Sequence, residues 1–409
     1  MRVIGLDVSR TVGEIAYLED GLVREGGRVL LQHESLLHFA QGLRATDEVV
    51  LVATGNTAAI AAALKPHVAR VVIANPLQVR LIAEARVKTD KIDAAILAQL
   101  YASGFLPQVW MPDERTQALR RQVARRAQIV RHRTRLKNEI HSVLATHLIA
   151  RCPATDLFGR KARAWLGKQP LPLDERLGVE QRLRELDRLA EDLVAIDQLL
   201  GQAVLEDEQL KRLLTITGVN RIVAIGVLAA IGEIGRFASP EKLVSYFGLN
   251  PRVRQSGLQP AQHGHISKVG RAHARAMLVE AAWAAAKAPG PLRAFFLRIR
   301  ARRGMQIAAV ATARKLATIV WHVLSGQEDY AWVRPALAAK KRRELELRAG
   351  LPVRKGHRGS AAEYSLKEVR EHERTMAEQA ERAYARFVAR WQARPKARST
   401  GAANPTRTQ

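Results

Sequence analysis

The chain has 409 residues, enough for two or three domains at on the order of 150 residues each. Lysine and arginine number 66 against 39 acidic residues, giving a net charge of +27 and a pI near 11.0, so a polyanionic partner is expected, with DNA or RNA as the first candidate. Cys152 is the single cysteine, which excludes an internal disulfide framework and a multi-cysteine zinc site and fits a reducing cytoplasm; no uncharged apolar run is long enough for a bilayer, and the residues after Met1 read as strand rather than leader, so no membrane is expected.

Val3 to Val8 reads as a short apolar strand with Asp7 at its end, and Glu14 to Leu18 and Arg28 to Leu31 can pair with it. Val49 to Ala53 gives another strand, Asn56 to Leu64 an alanine-rich helix, and Val71 to Ala74 a buried-type strand before Asn75-Pro76. This alternation predicts a layered α/β domain over residues 1–110. In the segment Lys88-Thr89-Asp90-Lys91-Ile92-Asp93, Asp90 and Asp93 fall one helical turn apart. Together with Asp7 they can hold Mg²⁺, a hard ion that takes oxygen ligands. Asp90 also suits a helix N-terminus, where a carboxylate complements the dipole.

Asp113 to Leu148 is helical by spacing, with an expected apolar stripe of Leu119, Val123, Ala127, Val130, Leu136, Ile140 and Val143. Its other faces carry Arg120, Arg121, Arg125, Arg126, Arg131, Arg133, Arg135 and Lys137, and a face of one sign points to nucleic-acid contact. After Pro153 and Pro170-Leu171-Pro172, the residues Leu183, Leu186, Leu189, Leu193, Ile196 and Leu199 mark a second long helix of mixed charge. The pair predicts an antiparallel coiled coil over residues 111–208, which can also serve as an assembly surface.

From Leu213 two helical pieces meet at Thr217-Gly218-Val219-Asn220. This unit is either a helix-hairpin-helix whose N–H groups at Gly218 and Asn220 meet a phosphate, or a simple helical hairpin. Phe237 to Phe247 continues the helical domain of residues 209–335, and Ala272 to Lys287 and Gly304 to Ser325 add amphipathic helices. Between them lies a basic, glycine-punctuated loop: Arg252 and Arg254 precede Ser256, Gly257 follows it, and Gly264, Ser267, Lys268, Gly270 and Arg271 come after. Glycine there lets the backbone turn and expose the serine hydroxyl to a phosphate. An ordinary surface loop is the competing reading, since serine is common in loops. Residues 336–409 form a basic tail with Lys340-Lys341-Arg342-Arg343, a Gly/Arg segment at Arg354 to Gly359, a charged helix at Leu366 to Trp391, and an end rich in Pro, Thr and Arg that reads as disordered. Aromatic residues are only 5 %, so base stacking is not expected to dominate binding.

With these pieces in order, the sequence resembles the DEDD-type transposases of bacterial insertion sequences, also called bridge recombinases, in which a structured RNA pairs with donor and target DNA. The similarity runs over roughly residues 2 to 330: GLDVS, ATGN, ANPLQVR and KTDKIDA in the N-terminal half, then GVN, RFASPEKLVSYFGLNP, QSG and ISKVGRAHAR. It implies an α/β plus α architecture: a RuvC-like, RNase H-type mixed-sheet domain, a coiled coil, and a mostly helical C-terminal domain carrying a nucleophilic serine. Carried onto this chain, Asp7, Asp90 and Asp93 are metal-site carboxylates for Mg²⁺ and Ser256 is the serine. A homo-oligomer, dimer or tetramer, and a structured guide RNA are the implied partners besides DNA. One position departs: Val52 stands immediately before Ala-Thr-Gly, where the family has a glutamate. Glu48 shares its strand face but lies four residues away, about 13 Å, too far to substitute directly.

The expected chemistry is therefore breakage and rejoining of DNA through a covalent phosphoserine. Arg252, Arg254 and Lys268 would neutralise the phosphate, Arg271 and Arg275 would hold the backbone, and His263 and His265 are candidate acid or base groups. Two rivals stand beside it: a metal-dependent nuclease or junction resolvase in which water attacks, and a nucleic-acid-binding relative impaired by the loss of the glutamate at Val52.

Overall fold

The computed structural model describes residues 2–82, 89–257, 259–352 and 366–393. Lys88, the Gly/Arg segment, the chain after 393 and the side chain of His263 lie outside the described residues. The chain divides into two compact units, residues 1–113 and 114–409.

The first unit is a five-stranded sheet with helices on both faces. Its strands are β1 (Val3–Val8), β2 (Val12–Glu19), β3 (Leu22–Leu30), then, after α1 (His33–Gln41), β4 (Glu48–Val52), and after α2 (Thr57–Leu64), β5 (Arg70–Ala74). Helices α3 (Pro76–Ile82) and α4 (Asp90–Ala102) follow. The order is β3-β2-β1-β4-β5, with β1, β2 and β3 antiparallel and β1, β4 and β5 parallel. Because both faces are covered, the central strands read as nearly continuous apolar runs. Ile4, Leu6, Val49 and Leu51 point to α1 and α2, while Val3, Val50 and Val72 point to Leu97 and Ala98 of α4.

Helices dominate the second unit: α5 (Glu114–Thr146), α6 (Arg160–Leu166), α7 (Leu173–Val204), α8 (Glu208–Thr215), α9 (Arg221–Ile231) and α10 (Pro240–Tyr246). A two-stranded hairpin, β6 (Pro251–Arg254) and β7 (Gln262–Ile266), leads to α11 (Ala272–Lys287), α12 (Pro291–Arg303), α13 (Met305–Ser325), α14 (Pro335–Arg348) and α15 (Lys367–Ala393). α5 and α7 run antiparallel, since Arg115 pairs with Asp207, Arg126 with Asp197 and Arg182 with Glu139. One hydrophobic cluster joins them to α8 through α14, from Leu119 to Leu345, so the boundary drawn at residue 208 falls inside a shared core.

Two apolar stripes differ from expectation. On α5, Ile129 is buried and Val130 is 38 % exposed; on α7, Leu200 is buried and Leu199 is 51 % exposed. Near its start α5 meets α9, and further along it meets α7, so its buried side rotates about the axis instead of following one stripe. α13 is long and apolar enough to cross a membrane by length and composition. It carries Arg314 and Lys315 at mid-length, and its Leu316, Ala317 and Val320 lie in the core, as in a central helix of a helical bundle.

Candidate functional site

The expected site residues fall in two groups, one in each unit. In the first, Gly5, Asp7 and Val3 share the face of β1 covered by α4. A Cβ on Gly5 would come within 1.9 Å of Ala94 O, so the strand needs glycine there for α4 to lie close. Asp7 is half-buried on this face. Asp90 and Asp93 occupy the first turn of α4, with Thr89 as its cap, accepting from Ile92 N at 3.4 Å. Lys91 of the same turn pairs with Glu25 of β3 at 2.6 Å.

Val52 extends the β1–β4 register one step past Leu6–Leu51, which puts it beside Asp7, packed among the α4-facing apolar residues. A glutamate there would add a carboxylate next to Asp7. Glu48 pairs with Val3 at the other end of the strand. Burial first, and then a hydrogen bond to Glu48, push the Tyr101 phenol up. One acid escaped the sequence reading: Glu14 lies directly across from Asp7 in the antiparallel ladder. It is only 5 % exposed, and its carboxylate accepts from Arg28 Nε.

The oxygen donors of Asp7, Asp90 and Asp93 suit a hard dication such as Mg²⁺ in kind. As arranged, no three His, Cys, Asp or Glu side chains come together to hold a metal ion among the described residues. Val52 supplies no donor, and Arg28 already engages Glu14.

In the second unit the expected loop is a β-hairpin with a fixed base and an exposed tip. Ser267 N donates to Asn250 O (2.8 Å), Lys268 N to Gly248 O (3.1 Å), Arg271 N to Tyr246 O (3.1 Å), and Ser267 Oγ to Asn250 Oδ1 (2.8 Å). Gly248 and Gly270 take positive φ where a Cβ would lie 2.4 Å from Val269 O and 2.2 Å from Tyr246 O respectively, so neither position accepts a side chain. Ser256 sits at the tip, exposed, before Gly257 at φ +57. Arg252, Arg254, His265 and Lys268 are also exposed. Arg275 donates to Phe247 O at 3.0 Å and braces the base.

Behind the base lies a cationic node. Arg271 Nε donates to the Tyr246 hydroxyl (2.8 Å), which donates to Ala230 O (3.1 Å); Arg120 Nε and Nη2 donate to Ala229 O and Ala230 O, both at 2.8 Å. The Arg236 guanidinium lies 4.4 Å from the Tyr246 ring centroid. Burial pushes the Tyr246 phenol up, but the charge and hydrogen bond of Arg271, with Arg236 and Arg120 behind it, hold it below its ordinary range. Arg236 and Tyr246 were not foreseen, although both lie within the RFASPEKLVSYFGLNP motif.

Several other expected nucleic-acid residues have structural partners. Arg126 pairs with the buried Asp197, Arg125 with Asp192, and Arg135 with Glu139, while Lys137 lies over the Phe158 ring. Gly218 packs against α11, where a Cβ would fall 2.4 Å from Ala281 O, and Asn220 caps α9 by accepting from Val223 N at 2.9 Å. Arg121 and Arg131 are exposed on α5, and Arg133 is half-buried.

Residues 4–149 match a DEDD transposase family of the IS110 type, described as "Transposase", and residues 210–297 match the "Transposase IS116/IS110/IS902 family". The mixed sheet of the first unit is consistent with a DEDD, RNase H-like domain. Among similar proteins, the transposase for insertion sequence element IS1111A of Coxiella burnetii is 30 % identical over 256 residues, covering 59 % of this chain and 68 % of that protein. A probable family 20 transposase of Pseudomonas aeruginosa is 28 % identical over 250 residues, 59 % of this chain and 74 % of its own. The pilin gene-inverting protein of Moraxella bovis is 27 % identical over 269 residues, 63 % of this chain and 73 % of its own. On two family domains in the expected order and a relative matched over more than two thirds of its length, the chain belongs to the IS116/IS110/IS902 family of transposases.

Proposed function

We propose that this transposase cuts and rejoins insertion-sequence DNA through a phosphoserine formed on Ser256, as a homo-oligomer guided by a structured RNA. The observation that carries the reading is the hairpin: an exposed hydroxyl on a tip rich in cations, above a base that cannot shift without breaking several backbone bonds. The Ser256 Oγ attacks the scissile phosphorus and forms the P–O bond to serine as the bond to a deoxyribose oxygen breaks. Attack by a strand hydroxyl on that phosphoserine then restores a phosphodiester and frees the serine; each step forms one phosphate ester and breaks one, with the attacking hydroxyl's proton balanced by protonation of the leaving oxygen, so no external energy source is needed. Arg252, Arg254 and Lys268 offset the charge that builds on the phosphate oxygens, and Arg271 holds the neighbouring backbone.

A serine hydroxyl needs a base or a metal to become a good nucleophile at neutral pH. Asp7, Asp90 and Asp93 are the residues that would hold Mg²⁺, which when bound supplies Lewis-acid charge at the phosphate. The cytoplasm is the compartment this reading requires, because that is where the DNA is.

The test is a purified Ser256→Ala protein assayed for DNA–protein adducts and recombinant product on element-end DNA. We expect both to fall by on the order of a thousandfold or more. Cleavage that persists without an adduct would instead mean that water is the nucleophile. Sequencing the RNA that co-purifies with the protein tests the guide, which should match DNA flanking the element.

A further inference from the structure

We propose that the recess between α5, α9 and the start of α11 receives one unpaired nucleotide of a nucleic-acid strand, phosphate at an arginine rim and base on an apolar floor. The proposal rests on the nucleic-acid reading above and adds a discrete subsite to it. The recess has a volume of about 460 Å³, within the roughly 300–1,000 Å³ of pockets that take a small molecule. Its charged lining is of one sign, Arg120, Arg131 and Arg271 with no carboxylate, and His273 stands beside them. The floor is small and apolar, from Val123, Ala127 and Ala229.

Two of the three guanidiniums are already oriented. Arg120 is held by the carbonyls of Ala229 and Ala230, and Arg271 by the Tyr246 hydroxyl, so little side-chain entropy is lost when an anion arrives. Gly226 of α9 meets Met277 of α11 so closely that a Cβ would lie 2.1 Å from its sulfur, which keeps these helices together below the recess. Burial, with Arg131 and Arg126 adding positive charge, holds the His273 imidazole below its ordinary pKa. A phosphate beside it supplies the missing negative charge.

A recess walled by helices admits one nucleotide but not a stacked base pair, so the base must be unpaired. Unpaired DNA and unpaired RNA share this chemistry, and oligonucleotides of both kinds separate them.

The experiment measures binding of the full chain to fluorescent single-stranded DNA, single-stranded RNA of the same sequence, and duplex DNA. Two variants are compared with the parent: Ala124→Trp, which fills the recess from an exposed position without changing charge, and Arg131→Gln, which removes one rim cation. Each is expected to weaken single-strand binding about tenfold, Ala124→Trp by excluding the base and Arg131→Gln by the loss of one hydrogen bond to a charged group, and to leave duplex binding within about twofold. The larger loss, on DNA or on RNA, identifies the occupant. Unchanged single-strand binding by Ala124→Trp overturns the subsite, as does equal loss on single strands and duplex. A parent protein that binds no nucleic acid ends the functional reading itself, a result distinct from failure of the subsite alone.

Discussion

Position 52 puts a branched hydrocarbon beside Asp7, on the face that α4 covers, so on the proposed reading Asp7, Asp90 and Asp93 would meet a cation with one fewer charge than the resembling family's pattern provides. Affinity for a hard dication follows ligand charge count. Val52→Glu is therefore expected to tighten Mn²⁺ or Mg²⁺ binding by on the order of tenfold, read by calorimetry on the purified protein; an unchanged dissociation constant would mean that the side chain at 52 does not reach the ion. The neighbourhood of Glu14 deepens the point. Two carboxylates directly opposite each other repel, and Arg28 offsets that repulsion by engaging Glu14. The places of Asp7 near the end of β1 and of Asp90 and Asp93 in the first turn of α4 were legible because an acid closing a buried strand, or one opening a helix, stands out along the chain. Glu14 was not, because only the Asp7–Glu14 register makes the two neighbours. The exposure of Ser256 was legible for a similar reason, since Arg-x-Arg-Gln-Ser-Gly announces an exposed turn, but the fixity of its base was not, because it depends on hydrogen bonds that Tyr246 and Gly248 accept from residues about twenty positions away.

At the scale of elements, α5 shows why the charge of a basic helix does not tell which of its cations stay available to a partner. Its arginines read as one face of one sign, yet α7 supplies acids for Arg125 and Arg126, and Glu139 of α5 itself for Arg135. The central case is Asp197, 6 % exposed, which accepts from Arg126 Nε at 2.6 Å and Arg221 Nη2 at 3.0 Å and so ties α5, α7 and α9 together. Burial alone would raise its pKa, but hydrogen bonds from Arg126 and Arg221 and their charges more than offset that and lower it. Asp197→Ala leaves the largely buried Arg126 guanidinium without its acid and Arg221 with only Glu344 at 3.5 Å, and is expected to cost about 3 kcal/mol, measured by urea denaturation. A carboxylate with a depressed folded pKa stabilises fully above its unfolded pKa, and that contribution is lost as pH falls through the folded value. Parent and variant stability should therefore converge on acidification below the ordinary aspartate range; a gap that stays constant to low pH would assign the loss to packing instead. Helix existence was readable from the 3.6-residue period. Which residues face inward was not, since α5 changes partner along its length and Ile129, not Val130, is buried.

For the whole molecule, a charge of +27 predicts binding to any polyanion, and the fold decides which cations are available for it. Arg125, Arg126 and Arg135 are matched to acids, whereas Arg252 and Arg254 project from an exposed hairpin. Neutralising phosphates releases counterions, so each contact contributes about 0.9 to the slope of log affinity against log salt. Six to ten contacts would cost roughly 10³–10⁵ in affinity between about 50 and 200 mM salt. The double variant Arg252→Gln, Arg254→Gln should lower the slope on duplex DNA by about two. Arg125→Gln, Arg135→Gln removes the same formal charge from residues already paired within the protein, and should lower it by much less. A titration of both variants and the parent across that salt range separates the alternatives: equal slopes for the two variants would mean that net charge, rather than the hairpin, makes the contact with DNA.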